Sequence, residues 1–358
     1  MCKIHYRNGQ YQDFLLKEFA AIDEPFPALT SLQLSSFRRE NVSVLPASFL
    51  GGSAPCLRSL ELDGIPYPSI GKLLSSTTNL VHLSLWCIPH SGYITPETIV
   101  SCLSISLRLE SLHLGFQHPR SRAHRANRHL PPLTRLVFPN LTLLYFGGDI
   151  EYFEDVLSQI ETPMLNDIYF RFFNQLVFDT PLLGHFIRRT EIFMTIHRVH
   201  VQFSRFAVRV KLSGRDESTI FDREALPLEI TCKPLDWQLS AVTQVLNSFL
   251  SSLPTLDSLE IAASGEDGQG EIEVIQWREF LHLFTSVKNM SLESMDSVRL
   301  VAPALQELAG ESPTEVLPAL QNLFLRWHGW QPSRPVKVAI ERFIATRQLY
   351  GHPVTVHY

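Results

Sequence analysis

One phrase, L-x-x-L-x-L set after a Pro or a small polar residue, recurs ten times along the chain and constrains the fold more than any other feature. It reads FPALTSLQL (Leu29, Leu32, Leu34), APCLRSLEL (Leu57, Leu60, Leu62), TTNLVHLSL (Leu80, Leu83, Leu85) and SLRLESLHL (Leu109, Leu112, Leu114). FPNLTLLYF (Leu141, Leu144, Phe146) and TPMLNDIYF (Leu165, Ile168, Phe170) follow, then a weaker copy, IHRVHV (Ile196, Val199, Val201). LPTLDSLEI (Leu256, Leu259, Ile261), FTSVKNMSL (Val287, Met290, Leu292) and LPALQNLFL (Leu320, Leu323, Leu325) complete the series. In L-x-L both apolar side chains fall on one face of a strand, because strand side chains alternate. The first Leu enters from the preceding turn and reaches the same core. One such unit cannot bury its apolar face alone, whereas stacked neighbours share a core and a parallel sheet.

Successive first positions from Leu29 to Leu165 lie 28, 23, 29, 32 and 24 residues apart, and from Leu256 onward 31 and 33. Parallel neighbours need a crossover, and apolar spacings of three and four predict helices over 69–77, 96–104, 151–160, 237–253 and 277–287. Thr95-Pro96-Glu97 supplies a cap residue followed by Pro at the first helical position. The expected fold is therefore α/β, a leucine-rich-repeat solenoid: a curved horseshoe with a parallel sheet on its concave face and helices on its convex face. Residues 1–25 are expected to form an N-terminal helical cap, with the helix over 11–22, and 26–333 the solenoid. Within it, FAVRVKL (206–212) and LPLEITCK (226–233) alternate like strands and break the repeat near 203–236, either as a hairpin or as irregular repeats. Residues 334–358 read as a helix-strand cap over the open end.

Hydrophobic residues make up 45% of the chain and charged residues 19%, enough apolar material for a continuous core. A formal net charge of -5 gives no electrostatic reason to expect nucleic acid. The five cysteines are odd in number, scattered and without a CxxC pair, a pattern of free thiols in a reducing compartment. With no apolar leader and no apolar run long enough to span a bilayer, a cytoplasmic or nuclear, non-secreted protein without a membrane partner is expected.

No Walker A loop, GxGxxG, GxSxG or HExxH is present, so no enzyme, cofactor or metal is expected. Cys87 and His90 form half a metal site without a second half, and His197 and His200 lie three apart on a strand, hence on opposite faces. The acidic SGEDGQGEIE (264–273) lacks calcium-loop spacing. Two candidates for partner binding remain. HPRSRAHRANRH (118–129), with Arg120, Arg122 and Arg125 and no acid, is either a solvated insertion or a docking element for an acidic or phosphorylated partner. The second is the outward face of the strands, with His82, Trp86, His113, Tyr145, Tyr169, Arg171 and His200. Exposed strand positions are normally polar, and Trp, Tyr and Arg are enriched at binding hot spots. Either these side chains meet a protein partner or helices and loops cover them.

Four longer segments carry a resemblance: PFPALTSLQL (25–34), LPASFLGGSAPCLRSLELDGIPYP (45–68), LVHLSLWCIPHSGYITPETIVSCLS (80–104) and FFNQLVFDTPLLGHFIRRTE (172–191). The chain resembles, over most of its length, the leucine-rich-repeat region of the F-box-like proteins of mushroom-forming (basidiomycete) fungi. That resemblance implies protein-protein interaction, of the kind in which repeats present a substrate to a ubiquitin ligase. In that family an F-box ahead of the repeats docks onto a Skp-type adaptor. Only about 25 residues precede the first repeat here and none reads LPxEil, so an adaptor is expected only with an F-box upstream. The alternative is a stand-alone intracellular sensor, inhibitor or scaffold.

Overall fold

The computed structural model describes residues 2–6, 22–36, 44–119, 135–190, 196–214, 226–232, 235–250, 253, 255–264, 274–311, 316–326 and 333–358. The chain divides into two compact units, Met1–Phe173 and Asn174–Tyr358.

In the first unit the strands are β1 (Cys2–Tyr6), β2 (Leu29–Ser35), β3 (Ser59–Asp63), β4 (His82–Ile88), β5 (Ser111–Phe116), β6 (Leu136–Val137), β7 (Leu143–Gly148), β8 (Ile160–Glu161) and β9 (Asp167–Phe173). Helices α1 (Ile70–Leu74), α2 (Pro96–Leu103) and α3 (Ile150–Gln159) supply crossovers. The order β1-β2-β3-β4-β5-β7-β9 is parallel throughout, with β6 and β8 forming a small separate pair. The motif explains this register directly. Leu32, Leu60, Leu83, Leu112, Leu144 and Ile168 form one row across the sheet, and Leu34, Leu62, Leu85, Leu114, Phe146 and Phe170 the next. All twelve are at most 4% exposed. Full burial of each such side chain contributes roughly 1.5–3 kcal/mol, so the stacked rows, and not any single repeat, hold the unit together.

Polar side chains at the turns fasten one repeat to the one before it. Asn79, just ahead of Leu80, donates to the Pro55 carbonyl at 3.2 Å, and Asn140, ahead of Leu141, to the Leu107 carbonyl at 2.8 Å. Inside the stack, the buried Ser106 hydroxyl donates to the Thr77 carbonyl at 3.0 Å. These contacts satisfy carbonyls that the wide turns would otherwise leave open. Helix α2 starts as its sequence predicts: Thr95 Oγ1 accepts from the Thr98 amide at 3.2 Å and Pro96 occupies the first helical position.

The second unit contains α4 (Pro181–Arg189), β10 (Arg198–Phe203), β11 (Ala207–Ser213), β12 (Leu226–Thr231), α5 (Leu235–Asn247), β13 (Ser258–Ala263), α6 (Val274–His282), β14 (Asn289–Leu292), α7 (Met295–Glu311), β15 (Asn322–Leu325), α8 (Arg334–Leu349) and β16 (Thr355–His357). Strand β11 is antiparallel to both β10 and β12, while β10, β13, β14, β15 and β16 follow in parallel. Within 203–236 the described strands β11 and β12 thus pair antiparallel, with β11 also antiparallel to β10, and β10 remains in register with the repeats because Val199 and Val201 pair with Leu259 and Ile261. Buried Gln238 ties this insertion down, donating to the carbonyls of Ser204 and Cys232 at 2.8 and 2.6 Å. Thr255 and Ser286 repeat the turn fastening, donating to the carbonyls of Ile196 and Leu256.

Three elements differ from the sequence reading. Cys2–Tyr6 is a strand paired in parallel with β2, where a helical cap was expected; the helix expected over 11–22 falls almost wholly outside the described residues. Helices α4 and α7 were not anticipated. The second carries Pro303 in its interior, which normally reads as a helix breaker.

Candidate functional site

The outward positions of β3 to β9 form three rows. The first runs Ser59, His82, Ser111, Leu143, Asp167, and the second Glu61, Ser84, His113, Tyr145, Tyr169. The third begins with Asp63 opposite Trp86 and ends with Gly115, Gly147 and Arg171 side by side. Six of the residues singled out in the sequence, His82, Trp86, His113, Tyr145, Tyr169 and Arg171, therefore share one face of one unit. His82 and Arg171 are exposed, and the other four are half-buried.

Their burial comes from one another. Tyr145 and Tyr169 stack at 4.3 Å with planes 14° apart, as neighbours on adjacent strands. Trp86 meets Tyr145 edge-on at 4.7 Å, and His113 lies 5.6 Å from the same ring. Aromatic pairs of this kind contribute about 0.5–1.5 kcal/mol each beyond the area they bury. The rings therefore hold one another in place on the sheet face.

A β-bulge sets the position of Trp86. Leu85 pairs with Leu114 but Ile88 with Phe116, so Trp86 and Cys87 on β4 stand opposite the single Gly115 on β5. Cys87 accommodates the extra residue at a φ of 49°. Bulges re-aim side chains, and here the indole crosses β5 to reach β7. A Cβ on Gly115 would sit 2.1 Å from two atoms of the indole's six-membered ring, and one on Gly147 3.0 Å from it. Both glycines are present because the ring occupies the space above them. Glycine inside a strand pattern signals such an approach, so the pair Gly115 and Gly147 is the sign in the sequence of the ring's path.

His113 is the electrostatically unusual member. Its Nε2 is buried without a hydrogen-bond partner among the described residues. Burial holds its pKa below the ordinary histidine value, Glu61 pulls it back up, and His82 adds to the lowering. The imidazole is thus held neutral among aromatic rings. Around it the face carries carboxylates at Glu61, Asp63 and Asp167, and a cation at Arg171.

The remaining sequence candidates lie elsewhere. His200 is half-buried on β10 in the second unit, between Lys211 and Glu260 in register. His197 precedes that strand and lies 3.9 Å from Asp257. Arg120, Arg122 and Arg125 fall outside the described residues. His90 stacks on His118 at 6.0 Å, but among the described residues no group of three or more His, Cys, Asp or Glu is placed to hold a metal ion. Cys56, Cys87, Cys102 and Cys232 are thiols that form no disulfide among the described residues, and no helix of the described residues is long and apolar enough to cross a membrane.

No family model matches the chain, and no curated protein matches it. Among solved structures it is similar to the leucine-rich-repeat-containing protein LegL7 of Legionella pneumophila, at 15% identity and a TM-score of 0.32 over 96% of this chain and 97% of that one. It is also similar to an internalin (InlF) of Listeria monocytogenes, at 14% identity and a TM-score of 0.27 over 92% and 87%. Likeness this distant carries no argument about function, and the leucine-rich-repeat fold rests on the strand order and register above.

Proposed function

We propose that the chain is a non-catalytic protein-recognition module whose first unit binds a protein partner with the outward face of β3 to β9. The observation that carries this reading is the interlocked set Trp86, His113, Tyr145 and Tyr169, held half-open on a sheet face where polar side chains are the norm. Large rigid aromatics beside an arginine are the residue types that dominate binding energy at protein interfaces. The carboxylates of Glu61, Asp63 and Asp167 on the same face disfavour a nucleic-acid partner, whose phosphates they would repel.

In its finer form the reading is substrate recognition of F-box, ubiquitin-ligase type in the cytoplasm or nucleus. The sequence resemblance and the scattered cysteines without a CxxC pair support that form. Native co-purification of a Skp-type adaptor with the endogenous protein tests it; a defined partner recovered without adaptor would favour the stand-alone sensor or inhibitor. The surface itself is tested by comparing variants against the partner so recovered. Trp86→Ala and Tyr169→Ala should each weaken capture about tenfold or more, the cost of about 1.4 kcal/mol or above expected of a hot spot. Ser101→Ala, on the exposed side of α2, should leave capture unchanged. Equal capture by all three variants would remove the surface from consideration.

A further inference from the structure

The second unit carries a recess of its own on the outward side of its sheet, with a volume of about 270 Å³. Small side chains on the two central strands make the depression: Ser258 on β13 and Ser291 on β14, with Asn289 beside them. Larger ones wall it, Arg198 and Glu260 on one side and Phe324 and Arg326 on the other. Phe324 is held upright by stacking on His357 at 4.5 Å.

The polar atoms of this recess are not evenly committed. Glu260 pairs with Arg198 Nε at 3.3 Å. Glu293, next to the recess, accepts from the Ser291 hydroxyl. The Ser258 hydroxyl donates to Asp257 at 2.9 Å. Asn289 uses its carbonyl oxygen to accept from Asn322 at 2.9 Å. Each of these groups thus has a partner within the protein, whereas two sets of donors keep hydrogen-bonding capacity. Arg326 is 60% exposed and reaches Glu293 only at ion-pair distance, 3.7 Å. Among the described residues its guanidinium makes no hydrogen bond, and the side-chain nitrogen of Asn289, Nδ2, makes none either. A guanidinium offers five N–H donors in a fork that matches a carboxylate.

We infer that this recess receives an acidic side chain, Asp or Glu, of a partner polypeptide, with Arg326 as the principal donor and Asn289 as the second. A recess of about 270 Å³ has room for one such side chain. Its chemistry is independent of the aromatic surface of the first unit, so either can stand without the other.

Octaglutamate, octalysine and the monomer N-acetylglutamate amide are suitable probes, titrated into the full ¹⁵N-labelled chain and followed by amide NMR. Octaglutamate should shift the amides of Ser258, Asn289, Ser291 and Arg326 saturably; octalysine should not. Arg326→Glu, at an exposed position just past the end of β15, should weaken octaglutamate about tenfold or more, the loss of a charge-assisted pair. Arg198→Gln should weaken it less, because that guanidinium is already shared with Glu260. Shifts absent from these strands, shifts confined to the 118–129 segment, equal response to octalysine, or unchanged affinity in a folded Arg326→Glu variant would each overturn the assignment. Equal affinity for the monomer at matched carboxylate concentration would overturn the polypeptide occupant.

Discussion

Gly115 and His113 sit two residues apart on β5, and each is understood through what its neighbours need. Gly115 leaves room for an indole that arrives from another strand. His113 has its Nε2 enclosed without a partner among the described residues, and its burial favours the neutral ring. This makes stability depend on pH in a definite direction. The unfolded imidazole titrates near ~6.5, and the folded one lower, so the unfolded chain binds more protons as pH falls through that window. The contribution is complete above about 6.5 and is lost as pH drops towards the folded pKa. We predict that His113→Phe, which keeps a ring against Tyr145, flattens the fall in melting temperature between about pH 7 and about pH 5. An identical pH profile for the two proteins would mean that His113 is as well solvated folded as unfolded. Chain position told that His113 and Trp86 face outward. It did not tell that they touch Tyr145, because those contacts cross strands separated by whole repeats.

At the scale of elements, what the sequence made legible were the pieces with local causes. The Leu-x-Leu strands follow from side-chain alternation, and α2 from its Thr-Pro start. The hairpin at 206–233 was one of two readings, and the antiparallel pairing of β11 decides it. Helix α7 was missed because Pro303 breaks the local pattern, yet Val298, Val301, Ala302 and Leu305 are completely buried around it. Tertiary burial outweighed the local cost of a proline. Strand β1 was missed because five residues of mixed character have no periodicity of their own; parallel pairing with β2 defines it. The cap of α2 offers a direct check. Thr95→Ala removes the acceptor for the Thr98 amide and should cost about 1 kcal/mol in chemical denaturation. Loss of much less would mean that Pro96 alone starts the helix.

Across each unit, stability is a property of stacked neighbours. Leu112 lies in the buried row between Leu83 and Leu144, while His113 faces the other side of the same strand. A carboxylate at 112 would be an uncompensated charge in the shared core. Leu112→Asp should therefore cost about 3 kcal/mol or more, and raise amide exchange in β4 and β7 as well as in β5. His113→Ser should change denaturation by less than about 1 kcal/mol. Equal losses for the two variants would contradict the observed register. The same stacking lines up one residue from each repeat into a continuous surface. That alignment gives the first unit its aromatic cluster and the second its arginine-walled recess.

The sequence by itself determined the repeat, the inward rows, the outward rows and the residue types that reach solvent, because each follows from alternation along a single strand. Only the tertiary structure decided which outward residues meet. The bulge at Trp86 and Cys87, the ring lying over Gly115 and Gly147, and the gathering of Ser258, Ser291 and Arg326 depend on register between strands about thirty residues apart. Strand alternation within one repeat carries no information about which side chains touch across repeats; packing of the neighbouring strands sets that.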